Sequence, residues 1–250
     1  MINIRFIYKV FWFVKRELNR EVPTSYKEMN QVQFSALMKL VKGYITEEEF
    51  YCQFFNIERD ILKRLDLYQL YKLTENVRID EHASQMFIVK ELGGLKAPED
   101  MLSNMCFQQF MTVDQLFGWY TYTENREYLN KMLAALYIEP DKDFWSGNWN
   151  ERKKMIEQMK EEDLYPAVVN WMLIKNWLTG VYTQLFSAPG PSTAKAGGKQ
   201  KKQRPADWLG IFDAMVGDNL HLIEEYKKMP CMDALRYLNN KIKKQRMKHG

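Results

Sequence analysis

Apolar residues recur every three to four positions through most of the chain, which is the spacing of one face of an α-helix. The first residues differ. Apolar and polar side chains largely alternate from Ile2 to Tyr8, and an aromatic and β-branched run follows from Val10 to Val14. Alternation indicates one strand or a hairpin, which Pro23 ends. The pattern therefore predicts a mainly α, multi-helix protein that opens with a short β-strand or hairpin.

Capping residues and a glycine set the first helix boundaries. Ser25 with Glu28, and Thr46 with Glu49, have capping-box spacing, in which each side chain pairs with the other residue's backbone N–H. Gly43 is suited to end the first helix. The predicted core face of that helix consists of Phe34, Leu37, Met38 and Val41.

The middle of the chain predicts further helices. An amphipathic run consists of Ile61, Leu62, Leu65, Tyr68 and Leu73. Gly93, Gly94 and Pro98 then break the chain. A helical hairpin follows, with a polar corner at 123–125. The predicted core residues of the hairpin are Phe107, Phe110, Met111, Leu116, Trp119, Tyr120, Tyr128, Leu129, Met132, Leu133 and Leu136.

Two more helices precede a change of composition. A highly charged helix is predicted near residues 150–161, and the mostly apolar segment 164–186 predicts a central buried helix with Pro166 in its first turn. Residues 187–206 are rich in Pro, Gly, Ala and Lys, a composition that buries too little apolar area to fold. We expect a helical domain over 1–186, a linker over 187–206, and a small helical module over 207–250.

The C-terminal module predicts three short helices, each with an apolar stripe. A free unit of about 40 residues is marginally stable, so it should dock on the first domain, on a second copy of the chain or on a partner. We expect the stripes to bind a partner through Trp208, Leu209, Phe212, Leu220, Ile223, Tyr226, Leu235, Leu238 and Ile242.

The formal net charge of +4 is unevenly distributed. Residues 187–206 and 241–250 hold ten Lys and Arg and no acid, so the other 220 residues carry about −6. Such segments attract phosphates or an acidic surface, although neither contains an aromatic residue for base stacking. The favoured interpretation of the two segments is a solubilising linker and a frayed helix end whose cations complement the dipole at the helix C-terminus. The candidate contacts are Lys199, Lys201, Lys202, Arg204, Lys243, Lys244 and Arg246.

Catalytic and metal-binding motifs are missing from the sequence. There is no Walker-type loop, GxGxxG, GxSxG or HExxH, and Cys52, Cys106 and Cys231 have neither zinc-ligand nor disulfide-framework spacing. A site using all three histidines, His82, His221 and His249, would need the C-terminal tail to fold back on the core. We therefore expect no metal, no cofactor and no enzymatic activity.

Two polar clusters invite a chemical interpretation. Asp141 and Asp143 beside Trp145 and Trp149 have the composition of a sugar-binding cleft with two acids, but the usual behaviour of loops favours a surface loop anchored by aromatic residues. The stretch 217–230 holds a His and three acids, but its apolar spacing favours a junction between two helices.

The N-terminal segment 1–18 is apolar but is interrupted by Arg5, Lys9 and Lys15, and no small-residue cleavage site follows it. No other segment reaches the roughly 18 uninterrupted apolar residues of a membrane helix. We expect a protein that is neither secreted nor membrane-spanning, in a reducing cytoplasm.

Three stretches resemble tail-region proteins of Bacteroidetes prophages: VPTSYKEMNQVQFSALMKLVKG, FMTVDQLFGWYTYT with the following NREYLNKMLAALYI, and WLGIFDAMVGDNLHLIEEYKKMPCMDALRYLNNKIKK. The last is also similar to the C-terminal part of phage tail assembly chaperones, where short helices with a Met-Pro and an ALRYL-type end recur. This resemblance implies a helical, non-enzymatic protein in the host cell or virion. It would hold amphipathic segments of the tape measure protein against Met- and aromatic-rich faces.

Three functions remain open at this point. The first is a tail assembly chaperone or another tail component, with homo-oligomers expected. The second is a nucleic-acid-associated protein that uses the basic linker and tail. The third is an enzyme whose site assembles from residues without a motif.

Overall fold

The computed structural model describes residues 1–11, 14–77, 82–186 and 205–249. Within these ranges the chain forms twelve α-helices and two antiparallel hairpins, which confirms the predicted mainly α fold. Residues 187–204 lie outside the described ranges, and with them most of the predicted linker and the cations Lys199, Lys201, Lys202 and Arg204.

The chain forms two compact units that differ from the predicted domains. The first consists of residues 1–90 and 160–174, and the second of residues 91–159 and 175–250. The C-terminal helices therefore share a unit with residues 91–159. This corresponds to one of the alternatives for the C-terminal module, in which it docks on another part of the same chain.

The first unit opens with the hairpin of β1 (Ile2–Phe11) and β2 (Val14–Val22), so a hairpin rather than a single strand forms. Its inner face carries Phe6, Tyr8 and Leu18, all buried. The helices of this unit are α1 (Gln31–Lys42), α2 (Glu47–Phe54), α3 (Arg59–Leu62), α4 (Leu67–Thr74) and the first part of α8 (Glu161–Val181).

The capping box predicted at Ser25 is wrong, and the one at Thr46 is confirmed. Ser25 makes no side-chain cap, because only one 3-10 turn follows it and Glu28 instead accepts hydrogen bonds from the backbone and hydroxyl of Thr24. The box that begins α1 is formed by Asn30 and Gln33. Gly43 ends α1 in a left-handed conformation, with φ of 81°, as predicted.

We expect Asn30→Ala to lower the free energy of unfolding by about 1 kcal/mol, because Gln33 N–H at the start of α1 loses its acceptor. Ser25→Ala is the matched control and should change stability by less than about 0.5 kcal/mol. Urea denaturation of the two variants measures both. Equal losses would contradict the assignment of the cap to Asn30.

Two predicted core faces of the first unit need correction. Val41 is 61% exposed and lies outside the core face of α1, whereas Phe34, Leu37 and Met38 are buried. The run from Ile61 to Leu73 is not one helix, because a capping box of Asp66 with Gln69 starts α4 within it. Tyr68 is consequently 68% exposed.

The second unit begins with a short hairpin, β3 (Glu91–Leu92) and β4 (Leu95–Lys96), whose turn residues Gly93 and Gly94 both have positive φ. Its helices are α5 (Phe107–Thr123), α6 (Arg126–Leu136), α7 (Trp149–Gln158), the end of α8, α9 (Thr183–Phe186), α10 (Trp208–Val216), α11 (Ile223–Lys228) and α12 (Cys231–His249).

The predicted hairpin of α5 and α6 is confirmed, with its corner at Glu124, which has φ of 58°, and Asn125, which caps α6. The core face of α5 is only partly as predicted. Phe107 and Phe110 are buried, but Trp119 is 37% exposed, and the face also includes Val113 and Asp114. Met111, Leu116 and Tyr120 are half-buried.

Helix α8 starts earlier than predicted, so Pro166 lies in its second turn rather than its first. Trp171, Ile174 and Leu178 are fully buried along its length, as expected for a helix that is apolar on most sides. Among the described residues, no helix combines the length and the apolarity needed to cross a membrane.

Candidate partner-binding groove

A buried carboxylate on α5 fixes α10 in the second unit. Asp114 is 4% exposed; its Oδ1 accepts a hydrogen bond from Lys175 Nζ, and its Oδ2 accepts one from Trp208 Nε1 at 2.6 Å. The Trp208 ring packs edge-on against Phe107 and Phe110, with ring centroids 6.1 and 5.2 Å apart. The start of α10 is therefore held by an apolar contact and a charge-assisted hydrogen bond together.

Next to this contact α5 and α10 border a groove with a cavity of about 290 Å³. Its floor contains Trp208 and Phe212, which are 2% and 6% exposed, while Leu209 at the lip is 71% exposed. Most of the lining is apolar. Among the residues that the structure describes, the lining consists of Gln108, Met111, Thr112, Gln115, Trp208, Leu209, Phe212, Asp213 and Lys227.

The α5 side of the groove follows the helical repeat, since residues 108, 111, 112 and 115 share one face. The chain entering α10 passes close to α5 one turn further on. A Cβ on Gly118 would lie 2.9 Å from Pro205 Cβ and 3.1 Å from its Cα, so only glycine permits this approach. Pro205 therefore lies against α5 just beyond Gln115.

Charged groups occur at the α11 end of the groove. Lys227 Nζ contacts Glu224 Oε1 at 2.8 Å, and this hydrogen bond lowers the pKa of the Glu224 carboxyl. Asp213 and Glu224 are exposed. The remaining lining offers neutral amides and a hydroxyl, so the groove presents a small apolar patch with polar groups around it.

The nine expected partner-binding residues do not form one surface. Leu209 and Leu220 are 71% and 69% exposed. Ile223, Tyr226 and Ile242 are half-buried. Trp208, Phe212, Leu235 and Leu238 are buried inside the second unit. The groove brings together only Trp208, Leu209 and Phe212 from this set.

Sequence reasoning missed the α5 side of the groove. The sequence pattern predicted Met111 as a core residue and predicted no role for Gln108 or Gln115. The available signal was the Gln, Met, Thr and Gln at positions 108, 111, 112 and 115, whose flexible and amide side chains are typical of a helix face that is only partly covered.

Of the expected phosphate-binding cations, the described ones are Lys243, Lys244 and Arg246, all exposed near the end of α12. Arg246 Nη1 donates to Gln184 Oε1 at 2.8 Å. Across the described ranges, no group of three or more His, Cys, Asp and Glu side chains could hold a metal ion. The stretch 217–230 forms a helix junction, with α11 between Gly217 and Pro230.

In comparisons with known proteins, no family model, no curated protein and no solved structure matches the chain.

Proposed function

We propose that the chain is a non-catalytic phage tail-assembly protein that binds an amphipathic helix of the tape measure protein in the groove between α5 and α10. The sequence resemblance to tail assembly chaperones supports the class of partner. The groove supports the mode of binding, because an apolar trough between two helices suits helix-in-groove recognition.

The observation that carries the proposal is the exposure of Leu209 beside a buried aromatic floor. A leucine that is 71% exposed has apolar area left to bury, and here it borders a cavity lined by Met111 and Phe212 rather than standing alone on the surface. Single exposed leucines are ordinary, whereas one at the lip of an apolar cavity indicates a contact surface.

The groove dimensions define what it can hold. From residue 108 to residue 115 the face of α5 extends about 10 Å, or two helical turns. A partner helix would place one or two large apolar side chains between Met111 and Leu209 and its polar flanks near the amides of Gln108 and Gln115. The flexible Met111 side chain allows several such sequences to fit, which suits a chaperone that binds successive segments.

We expect Leu209→Ala to weaken binding of the tape measure protein by about thirtyfold, because burying a leucine contributes about 2 kcal/mol. Stability should change by less than about 0.5 kcal/mol, since the side chain is exposed in the free protein. The measurement is co-purification after co-expression with the tape measure protein, followed by titration calorimetry with its helical fragments.

Leu220→Ala is the matched control, because Leu220 is 69% exposed but does not line the groove. It should retain wild-type affinity. Equal losses of affinity in the two variants would assign binding to the wider α10–α11 surface. A tape measure protein that is soluble after co-expression but does not bind the chain would contradict the proposed function.

A second candidate function is non-specific nucleic-acid binding. It is favoured by Lys243, Lys244 and Lys248, which are exposed along the end of α12 in a segment without an acid. The test is binding to duplex and single-stranded DNA across a salt series. Affinity that falls steeply with salt would support this function, since phosphate contacts release counterions.

A further inference from the structure

The second unit has another cavity, separate from the groove, of about 290 Å³. It is lined by residues at the start of α5, by the loop between α6 and α7, and by Lys228 at the end of α11. The loop contributes Asp143, Phe144 and Trp145. Trp145 is 41% exposed, and its ring packs edge-on against Phe144 with centroids 5.6 Å apart.

Internal hydrogen bonds hold this loop. Asp143 Oδ1 accepts the backbone N–H of Trp145 at 2.9 Å and of Ser146 at 2.7 Å. The hydrogen bonds from Ser146 are the main reason that the pKa of Asp143 lies below its usual value. The Trp145 indole is thus exposed although its backbone is fixed.

The loop is also attached to the core of the unit. Glu139 Oε1 accepts the Asn148 N–H at 2.8 Å, and its Oε2 contacts Arg152 Nη1 at 2.7 Å. Arg152 is 1% exposed and donates through Nε to the carbonyl of Ala134 at 2.8 Å. A loop held in this way can present an aromatic ring to a ligand without first being ordered.

The floor of the cavity offers both a hydrogen-bond acceptor and a donor. Gln109 lines the cavity, is 97% buried and donates its amide N–H to the carbonyl of Ala135 at 2.9 Å, so its amide can offer a ligand the carbonyl oxygen as an acceptor. Asn104 uses its Oδ1 to accept the Glu99 N–H at 2.8 Å, which leaves its amide N–H as the donor.

Among the described residues of the lining, the ionic groups are the Asp143 carboxylate and the Lys228 ammonium, so their charges balance. A neutral ligand therefore fits better than an ion, since an ion would meet one like charge. The ligand should also present donors and acceptors close together and have one apolar face for the indole ring.

We propose that this cavity binds one sugar ring of hexose size. Each hydroxyl is both donor and acceptor and can pair with Gln109, Asn104 and Asp143 side by side, while the C–H face of the ring packs on Trp145. The volume lies at the lower limit for ligand pockets, which suits one ring rather than an oligosaccharide. The inference does not depend on the proposed tape measure partner.

The cavity binds but lacks the groups for hydrolysis. Glycosidases use two carboxyl groups on either side of the scissile bond, and Asp143 is the one carboxylate among the described residues of this lining, which do not include Asp141. The two-acid cleft considered from the sequence is therefore not assembled here.

The test is saturation-transfer NMR on the full chain with glucose, galactose, mannose and their N-acetylated amino forms. We expect at least one to bind with a dissociation constant of about 1 mM, in keeping with a ligand of about a dozen non-hydrogen atoms. Trp145→Ala should weaken that binding by about tenfold. Leu209→Ala, at the other cavity, is the control and should leave it unchanged.

The proposal would be overturned by no transfer to any of the sugars, by unchanged affinity in Trp145→Ala, or by tighter binding of a zwitterion such as glycine. Cys106 gives an independent measurement because its thiol lines the same cavity. Burial raises the pKa of Cys106, so its alkylation by iodoacetamide should be slow. Saturating sugar should slow it several-fold further, and an unchanged rate with sugar bound would place the sugar elsewhere.

Discussion

Replacing Asp114 with alanine should lower the free energy of unfolding by about 4 kcal/mol, the largest effect we expect from a single substitution in the second unit. The carboxylate is 3% exposed on its side chain and accepts hydrogen bonds from two donors, Lys175 Nζ and Trp208 Nε1. Its removal leaves the Trp208 N–H buried without an acceptor and the Lys175 ammonium, whose side chain is 22% exposed, without its counter-charge.

Urea denaturation followed by tryptophan fluorescence measures this loss. The matched control is Asp213→Ala, an exposed carboxylate on α10, which should change stability by less than about 0.5 kcal/mol. Lys175→Met completes a double-mutant cycle. The loss of unfolding free energy in the double variant should be smaller than the sum of the losses in the two single variants by at least about 1 kcal/mol, because the two charges are then removed together.

The same substitution connects stability to the proposed function. Trp208 forms the floor of the groove and is oriented by Asp114, so Asp114→Ala should also weaken binding of the partner helix. If Asp114→Ala lowers the free energy of unfolding by less than about 1 kcal/mol, the result would contradict the stabilising role of the buried ion pair, whatever the effect on binding.

Local features of this fold were predictable from the sequence because neighbouring residues determine them. Gly43 takes the left-handed conformation that ends α1, and Thr46 with Glu49 caps α2. The hairpin of α5 and α6 followed from two periodic runs around a polar corner. In each case the deciding interaction spans no more than about one helical turn.

The wrong cap prediction at Ser25 shows that a local sequence pattern does not always determine which residue caps a helix. Both Ser25 with Glu28 and Asn30 with Gln33 satisfy the capping-box pattern, so the sequence permits either. Glu28 is instead paired with the N-terminal ammonium at 2.6 Å, a contact from the beginning of β1. Glu28 also accepts hydrogen bonds from the backbone N–H and the hydroxyl of Thr24, so the contacts of Glu28 in the folded chain distinguish two local signals that are equally good in the sequence.

The groove was not predictable because its two sides are far apart in sequence. Asp114 and Trp208 are separated by 94 positions, and periodicity identifies a helix face without identifying what covers it. One signal was present nevertheless. Asp114 follows Phe107 and Phe110 by seven and four positions and so lies on their face. A carboxylate on a core face requires a buried partner.

For the same reason, the sequence indicated only part of the lining of the second cavity. Asp143 and Trp145 stood out by composition, but Gln109 and Lys228 come from other parts of the chain. Asp141 adjoins them in sequence and yet is not among the described residues of the lining; it has φ of 60° and lies two residues before the turn that Asp143 forms. Sequence neighbours in a loop need not share a site.

Asn170→Ala should lower the free energy of unfolding of the first unit by about 3 kcal/mol. Asn170 on α8 is fully buried, and its Oδ1 accepts the backbone N–H groups of Ile88 and Val89 at 2.7 and 2.8 Å. Its Nδ2 donates to the carbonyl of Met86 at 3.1 Å. Alanine leaves the N–H groups of Ile88 and Val89 without this acceptor, at a cost of about 1 to 2 kcal/mol each, whereas the Met86 carbonyl keeps a hydrogen bond from the Ser84 hydroxyl at 3.3 Å.

Hydrogen exchange of the peptide covering residues 84–90 measures the effect locally, and its protection should fall together with the unfolding midpoint. Met172→Ala, on the same helix and 46% exposed in the wild type, should leave both unchanged.

Asn170→Asp separates the two roles of the amide. Its ionised carboxylate retains acceptors for Ile88 and Val89 but repels the Met86 carbonyl, whereas the protonated form can donate to that carbonyl. Burial should raise the folded-state pKa of this acid above its unfolded value of about 3.9. Its stability deficit relative to wild type should therefore be smallest below that unfolded value and should grow as pH rises through the folded pKa. A deficit independent of pH would contradict a raised folded-state pKa for this carboxyl group.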